Sequence, residues 1–151
     1  TYLTPVHRYL TQLVRNPDLA EDLTAETFER AFRHWHQFDP SRGGALAWLI
    51  TIARRLAIDH LRAHSRRVDR EQRYVAMVPT TVAPQEDDGA LSHEMSTALA
   101  RLSDGERELI ALRVLLDVDG PTTAGILGIS VSACSTNLHR AMVKLRTELE
   151  R

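Results

Sequence analysis

The chain has 151 residues, 43% of them apolar and 26% charged, with 19 basic against 20 acidic side chains and a formal charge of −1. That length holds one ordinary domain or two of about 60–70 residues, and the apolar share excludes wholesale disorder. The charge balance excludes a uniformly basic nucleic-acid coat but not a local basic patch, and the single cysteine, Cys134, excludes an internal disulfide framework or a cysteine-based zinc cluster.

Strand signals are nearly absent, with no Asn-Gly or Asp-Gly hairpin turn, so the expected fold is all-α. A short first helix is expected within residues 5–15. The second follows Asn16-Pro17-Asp18: Asn16 can cap, Pro17 suits the first helical position, and Asp18, Glu21 and Asp22 favour the positive end of the helix dipole. Leu19, Leu23, Phe28, Ala31, Phe32 and Trp35 form its apolar stripe, and Asp22, Glu26, Glu29, Arg30 and Arg33 its opposite face, to an end near Gln37. Residues 39–45 (Asp-Pro-Ser-Arg-Gly-Gly-Ala) read as a loop. A long helix then starts near Leu46, with an apolar stripe of Trp48, Leu49, Ile52, Ala53 and Leu56. Thr51, Arg54, Arg55, Asp59 and Arg62 lie on another face.

Residues 79–88 hold two prolines, polar residues and no helical period, which reads as a flexible linker. The expected organisation is a domain over residues 1–77, a linker over 78–91 that leaves the two halves loosely placed, and a second helical domain over 92–151. In that second half the expected helices are 91–102, one capped by Ser103 with Glu106 in capping-box position and running to about Leu116, then 122–127, and 131–150 capped by Ser130. No apolar run approaches the roughly 18 residues that cross a bilayer and no secretion signal is visible, so a cytoplasmic protein without membrane insertion is expected.

Three features carry chemistry. Residues 122–141 have helix-turn-helix form: Ala124 lets two helices cross closely, Gly128 can stop the first, Ile129 plugs the turn, and Ser130 starts a helix whose exposed face fits a major groove. An ordinary helical hairpin is the plainer alternative. Arg54 to Arg73 holds seven arginines against Asp59, Asp69 and Glu71, suited to tracking phosphates, though a solvated face would look the same. The carboxylates Glu21, Asp22, Glu26 and Glu29 have no nucleophile or partner histidine, so no catalytic residue is expected. His60 and His64 stand at i, i+4 without a third ligand, so neither a metal nor another cofactor is expected. Cys134 reads as packing.

Taken in order, Ala20-Glu-Asp-Leu-Thr-Ala-Glu-Thr-Phe-Glu-Arg-Ala-Phe, Ala47-Trp-Leu-Ile-Thr-Ile-Ala-Arg-Arg-Leu-Ala-Ile-Asp-His-Leu-Arg, Leu102-Ser-Asp-Gly-Glu-Arg-Glu-Leu-Ile-Ala-Leu-Arg, Leu127-Gly-Ile-Ser-Val and Leu138-His-Arg-Ala closely resemble bacterial sigma factors of the extracytoplasmic-function group. The resemblance spans almost the whole chain. It implies a non-enzymatic transcription initiation factor of two domains, like sigma regions 2 and 4. Asp22, Glu26, Glu29, Arg30 and Arg33 would dock on the β′ clamp helices of core RNA polymerase. Arg42, Arg54, Arg55 and Arg62 would serve the minus-ten element of promoter DNA. The second domain would meet the β flap and read the minus-thirty-five element through Ser132, Ser135, Thr136, His139, Arg140 and Lys144, with Leu138 and Met142 turned to the core. An anti-sigma factor is the implied inhibitor. The chain departs from the family pattern at Ala25 and Arg55, over residues 119–124, and at Ser135 and Asn137, where basic residues are common. The alternatives are an autonomous helix-turn-helix regulator and a helical protein-interaction module without DNA binding in its second domain.

Overall fold

A computed structural model describes residues 1–72 and 91–151, and all regular structure among them is helical. In the N-terminal unit, α1 (Leu3–Val14), α2 (Pro17–Arg33) and α3 (Ala45–Gln72) pack against one another. Val6, Tyr9 and Leu10, then Ala20, Leu23 and Ala31, then Leu49, Ile50, Ala53, Leu56 and Ala57 fill one buried cluster. The Asn16 side chain accepts hydrogen bonds from the backbone N–H groups of Asp18 and Leu19 at 3.1 and 3.2 Å, fixing the start of α2.

The end of α2 differs from the expectation. The helix stops at Arg33, and a 3-10 turn over Trp35–Gln37 replaces its last turn. That tighter turn brings Trp35 over Phe38 and against Trp48, with ring centroids 5.1 and 5.8 Å apart. Phe32 is not in the apolar stripe: it is 87% exposed, and Trp35 is exposed beside it. At 100° per residue the buried positions of α2, from Leu23 to Thr24 around the axis, span about 100°, and Phe32 lies about 80° beyond Thr24, the nearest of them.

In the C-terminal unit, α4 (His93–Ala100) is shorter than the expected 91–102, because Ser92 caps it by accepting from Met95 N–H at 3.1 Å. α5 (Asp104–Ile110) opens with the expected capping box, Glu106 N–H to Ser103 Oγ at 3.2 Å and Ser103 N–H to Glu106 Oε1 at 3.0 Å. It continues through a π-helical turn over Ala111–Leu115. α6 (Gly120–Leu127) is capped by Asp119, whose carboxylate is held below its ordinary range by the hydrogen bonds from Thr122. Gly128, at φ 68°, ends α6 in the left-handed conformation. Ser130 then caps α7 (Val131–Leu149) through Ala133 N–H at 3.0 Å. Leu109, Ala124 and Cys134 are buried where α5, α6 and α7 meet, with Ile129 and Leu138 packed on them.

The two units are packed on each other. Ala111 and Leu112 of the π-helical turn are buried in the same cluster as α1, α2 and α3, and Leu115, Leu116, Ile126 and Leu127 pack against it. The linker expected over 78–91 lies outside the described residues except for Leu91. The described halves meet along that apolar seam, which the linker composition did not anticipate. Linker composition says how far two units can move, not whether their faces are complementary.

Candidate functional site

The polar face of α2 stands clear of the core. Asp22, Glu26, Glu29, Arg30 and Arg33 are all exposed and, with Ala25, line a shallow groove of about 360 Å³. Glu26 pairs with Arg30 at 3.6 Å and Glu29 with Arg33, each four residues apart. Such pairs stabilise a helix by only about 0.2–0.5 kcal/mol. These pairs therefore add little to the stability of the fold. Phe32 and Trp35 extend it with two exposed aromatic rings, which the sequence had assigned to the core.

The loop after α2 is ordered by its own side chains. Asp39 accepts from the backbone N–H of Ser41 at 2.9 Å and from its hydroxyl at 2.6 Å, closing a 3-10 turn over Pro40–Arg42. These bonds hold the Asp39 carboxyl below its usual range. Gly43 follows at φ 141°, a conformation that side chains strain. Arg42 is exposed and lies 3.6 Å from Asp39. The loop, Phe38, Trp48 and Thr51 form one wall of a cleft of about 730 Å³. Pro121, Thr122, Gly125 and Ile126 form the other. An aromatic wall beside an exposed arginine suits an unstacked base and its phosphate.

Of the three α3 arginines expected in one surface, two are together. Arg55 and Arg62 are exposed and, seven residues apart, fall on the same side of the helix. Arg54 is turned about 100° from Arg55 and faces the C-terminal unit. Its Nε donates to Glu108 Oε1 at 2.6 Å, and the two side chains are 29% and 13% exposed. This corrects its placement on the open basic face. The same oxygen accepts from the Tyr9 hydroxyl at 2.7 Å. Burial first, and then the charge of Glu108, push the Tyr9 phenol up, so it is a neutral donor.

Beside this contact Arg107, 3% exposed, donates to the carbonyls of Gln12 at 2.7 Å and Leu102 at 3.0 Å and to Asp104 at 2.6 Å. Sequence reasoning missed Tyr9, Arg107 and Glu108 as interacting groups. No local pattern marks pairs 54, 95 and 99 residues apart.

On α7, Ser132, Ser135, Thr136, His139 and Arg140 are all exposed, as expected of one side of the helix. Lys144 is exposed too, but its ammonium sits 3.0 Å from Glu106 of α5. Met142 is 39% exposed and so not the core residue expected. It lies about 60° around the helix from Leu145, at the rim of the buried Cys134–Ala141–Leu145 face. Among the described residues no group of His, Cys, Asp or Glu could hold a metal, and no helix is long and apolar enough to cross a membrane.

Comparison with known proteins gives concordant results for both units. The sigma-70 region 2 family matches residues 1–67 and the sigma-70 region 4 family matches residues 92–145. The RNA polymerase sigma factor CarQ of Myxococcus xanthus is 34% identical over 142 residues, covering 93% of this chain and 80% of the relative. The ECF RNA polymerase sigma factor SigM of Bacillus subtilis is 28% identical over 146 residues, covering 96% and 88%. Among solved structures, the sigma factor RpoE of Bartonella quintana, crystallised with the anti-sigma factor NepR, superposes with a TM-score of 0.82 at 25% identity, covering 99% of this chain and 92% of that one.

Proposed function

The chain belongs to the extracytoplasmic-function group of RNA polymerase sigma factors, and from that membership we propose which of its surfaces makes which contact. The α2 face of Asp22, Glu26, Glu29, Arg30 and Arg33 docks on the β′ clamp helices of core polymerase, with Phe32 and Trp35 as apolar anchors at its end. The loop at Arg42, the aromatic cleft beside it and the arginines of α3 open and hold the minus-ten element. Exposed residues of α7 read the minus-thirty-five element, and the C-terminal unit also meets the β flap. The protein is a non-enzymatic initiation factor that works where polymerase does, in the cytoplasm. An anti-sigma factor holds it inactive, as the related RpoE is held in a complex with one.

The observation that carries this reading is the exposed charged face of α2, in a chain whose second unit is a helix-turn-helix. An autonomous DNA-binding regulator has no use for such a face. Reversing Glu26 and Arg30 together (Glu26→Arg/Arg30→Glu) keeps an ion pair within the helix but inverts the pattern that a partner meets. Binding to core polymerase should fall at least tenfold, while stability moves by no more than about 0.5 kcal/mol. Undiminished binding by that variant in a pull-down titration overturns the assignment.

Strand opening gives a second test. Arg55 and Arg62 have no acidic partner among the described residues, so removing them leaves the folded unit intact. Arg55→Ala/Arg62→Ala should lower permanganate reactivity of the minus-ten bubble severalfold with core binding unchanged, because neutralised phosphates hold the separated strand. A bubble of ordinary reactivity would move the melting surface elsewhere.

A further inference from the structure

The contact between the two units uses a group that the proposed DNA surface needs. Arg54 is the one α3 arginine among the three assigned to the minus-ten element that is only partly exposed, and its partner is a carboxylate oxygen from the other unit. That oxygen also holds the Tyr9 hydroxyl, so a single acceptor on α5 engages α1 and α3 at once. Beside it, Ala111 and Leu112 are buried in the N-terminal core. α6 walls the cleft that Phe38 and Trp48 line. A strand lying along the loop and α3 would have to displace all three.

We propose that the C-terminal unit inhibits the N-terminal unit within the same free chain, with Glu108 as the latch: its carboxylate occupies Arg54 where a nucleic-acid phosphate would otherwise sit. Guanidinium groups take carboxylate and phosphate oxygens with the same geometry, so the two compete for one donor. The inference rests on the reading of α3 as a nucleic-acid surface, and it adds that no second protein is needed for the block. An anti-sigma factor would then prolong a state that the chain already enters alone.

Two charge-assisted hydrogen bonds converge on Glu108, and its loss leaves the half-buried Arg54 without a counter-charge in the closed form. Glu108→Ala should therefore shift the balance between closed and open forms by about tenfold or more. The free chain and three variants, Glu108→Ala, Glu108→Gln and Tyr9→Phe, are compared by small-angle scattering, by helical circular dichroism and by anisotropy of a fluorescent single-stranded DNA oligonucleotide. The wild-type chain should be compact and bind the strand weakly. Glu108→Ala should have a larger radius of gyration and bind severalfold more tightly, at unchanged helicity. Glu108→Gln, which keeps an acceptor without the charge, and Tyr9→Phe, which keeps the ring, should fall between the two.

A wild-type radius already that of separated units, or a Glu108→Ala variant that is folded, compact and no better at binding, overturns the latch. Should Glu108→Ala misfold, the two milder variants decide by the same readouts. A chain that opens without gaining affinity refutes the phosphate mimicry and with it the placement of the melting surface on α3. A failure of the polymerase assignment would show separately in the Glu26/Arg30 variant.

Discussion

Replacing Arg107 with alanine should lower the unfolding free energy by about 3 kcal/mol, the range expected when a buried, multiply bonded charge is removed. Arg107 is almost wholly buried, and its guanidinium serves the carbonyls of Gln12 and Leu102 and the carboxylate of Asp104. The Asp104 bond contributes least, since that carboxylate is in water and recovers its solvation. The larger cost falls on the carbonyls, which lose a charged donor in a setting that water reaches poorly. Gln12 belongs to α1 and Leu102 precedes α5, so one side chain ties the α1 carboxyl end to the C-terminal unit. The variant should thus lose stability and closure together. Urea titration followed by circular dichroism measures the first as a lower midpoint. The contrast is Arg101→Ala, which removes an exposed pair with Glu148 at 3.2 Å and should cost less than about 1 kcal/mol. Equal losses in the two variants would mean that water already satisfies the Arg107 acceptors.

The readable parts of this protein were those governed by neighbours in sequence. The Asn16 cap, the Ser103–Glu106 box, the Gly128 stop and the Ser130 cap each depend on residues two to five apart, and each is where the sequence put it. The exposed side of α7 was legible for the same reason. Cys134, Ala141 and Leu145 lie within about 40° of one another around the helix, which leaves Ser132, Ser135, Thr136, His139 and Arg140 outside.

Phe32 and Met142 went astray because an apolar side chain at the edge of a stripe satisfies the period without being on the buried face. In α2 that edge ring is now a candidate polymerase contact. Arg54 went astray for a different reason. Adjacent helical positions are turned about 100° from each other, so Arg54 and Arg55 do not share a face, and the partner of Arg54, Glu108, lies 54 residues on. The packing of one unit on the other is likewise a matter of surface complementarity, which a proline-bearing linker neither encodes nor forbids.

Arg140 should account for most of the sequence-dependent affinity of the C-terminal unit. The exposed side of α7 carries two side chains of fixed positive charge among those assigned to DNA, Arg140 and Lys144. Lys144 is committed to Glu106, which also closes the Ser103 capping box. Arg140 has no acidic partner among the described residues, and it lies one turn beyond Asn137 along α7. Ser132, Ser135 and Thr136 offer hydroxyls that either donate or accept, so they separate bases weakly. A guanidinium on the O6 and N7 of guanine separates them by about 1–3 kcal/mol. Arg140→Ala should accordingly reduce run-off transcription by about fivefold to a hundredfold from a promoter that requires its minus-thirty-five element, with core binding unchanged. Ser135→Ala should reduce it less than threefold, the scale of one neutral hydrogen bond. Lys144→Ala should weaken binding by a small, sequence-independent amount, since that ammonium already has a carboxylate beside it. If Arg140→Ala initiates as well as wild type on such a promoter, this helix is not the reader. The uncharged Ser135 and Asn137 on the exposed side of α7 would then mark a C-terminal unit kept for its contacts with protein rather than with DNA.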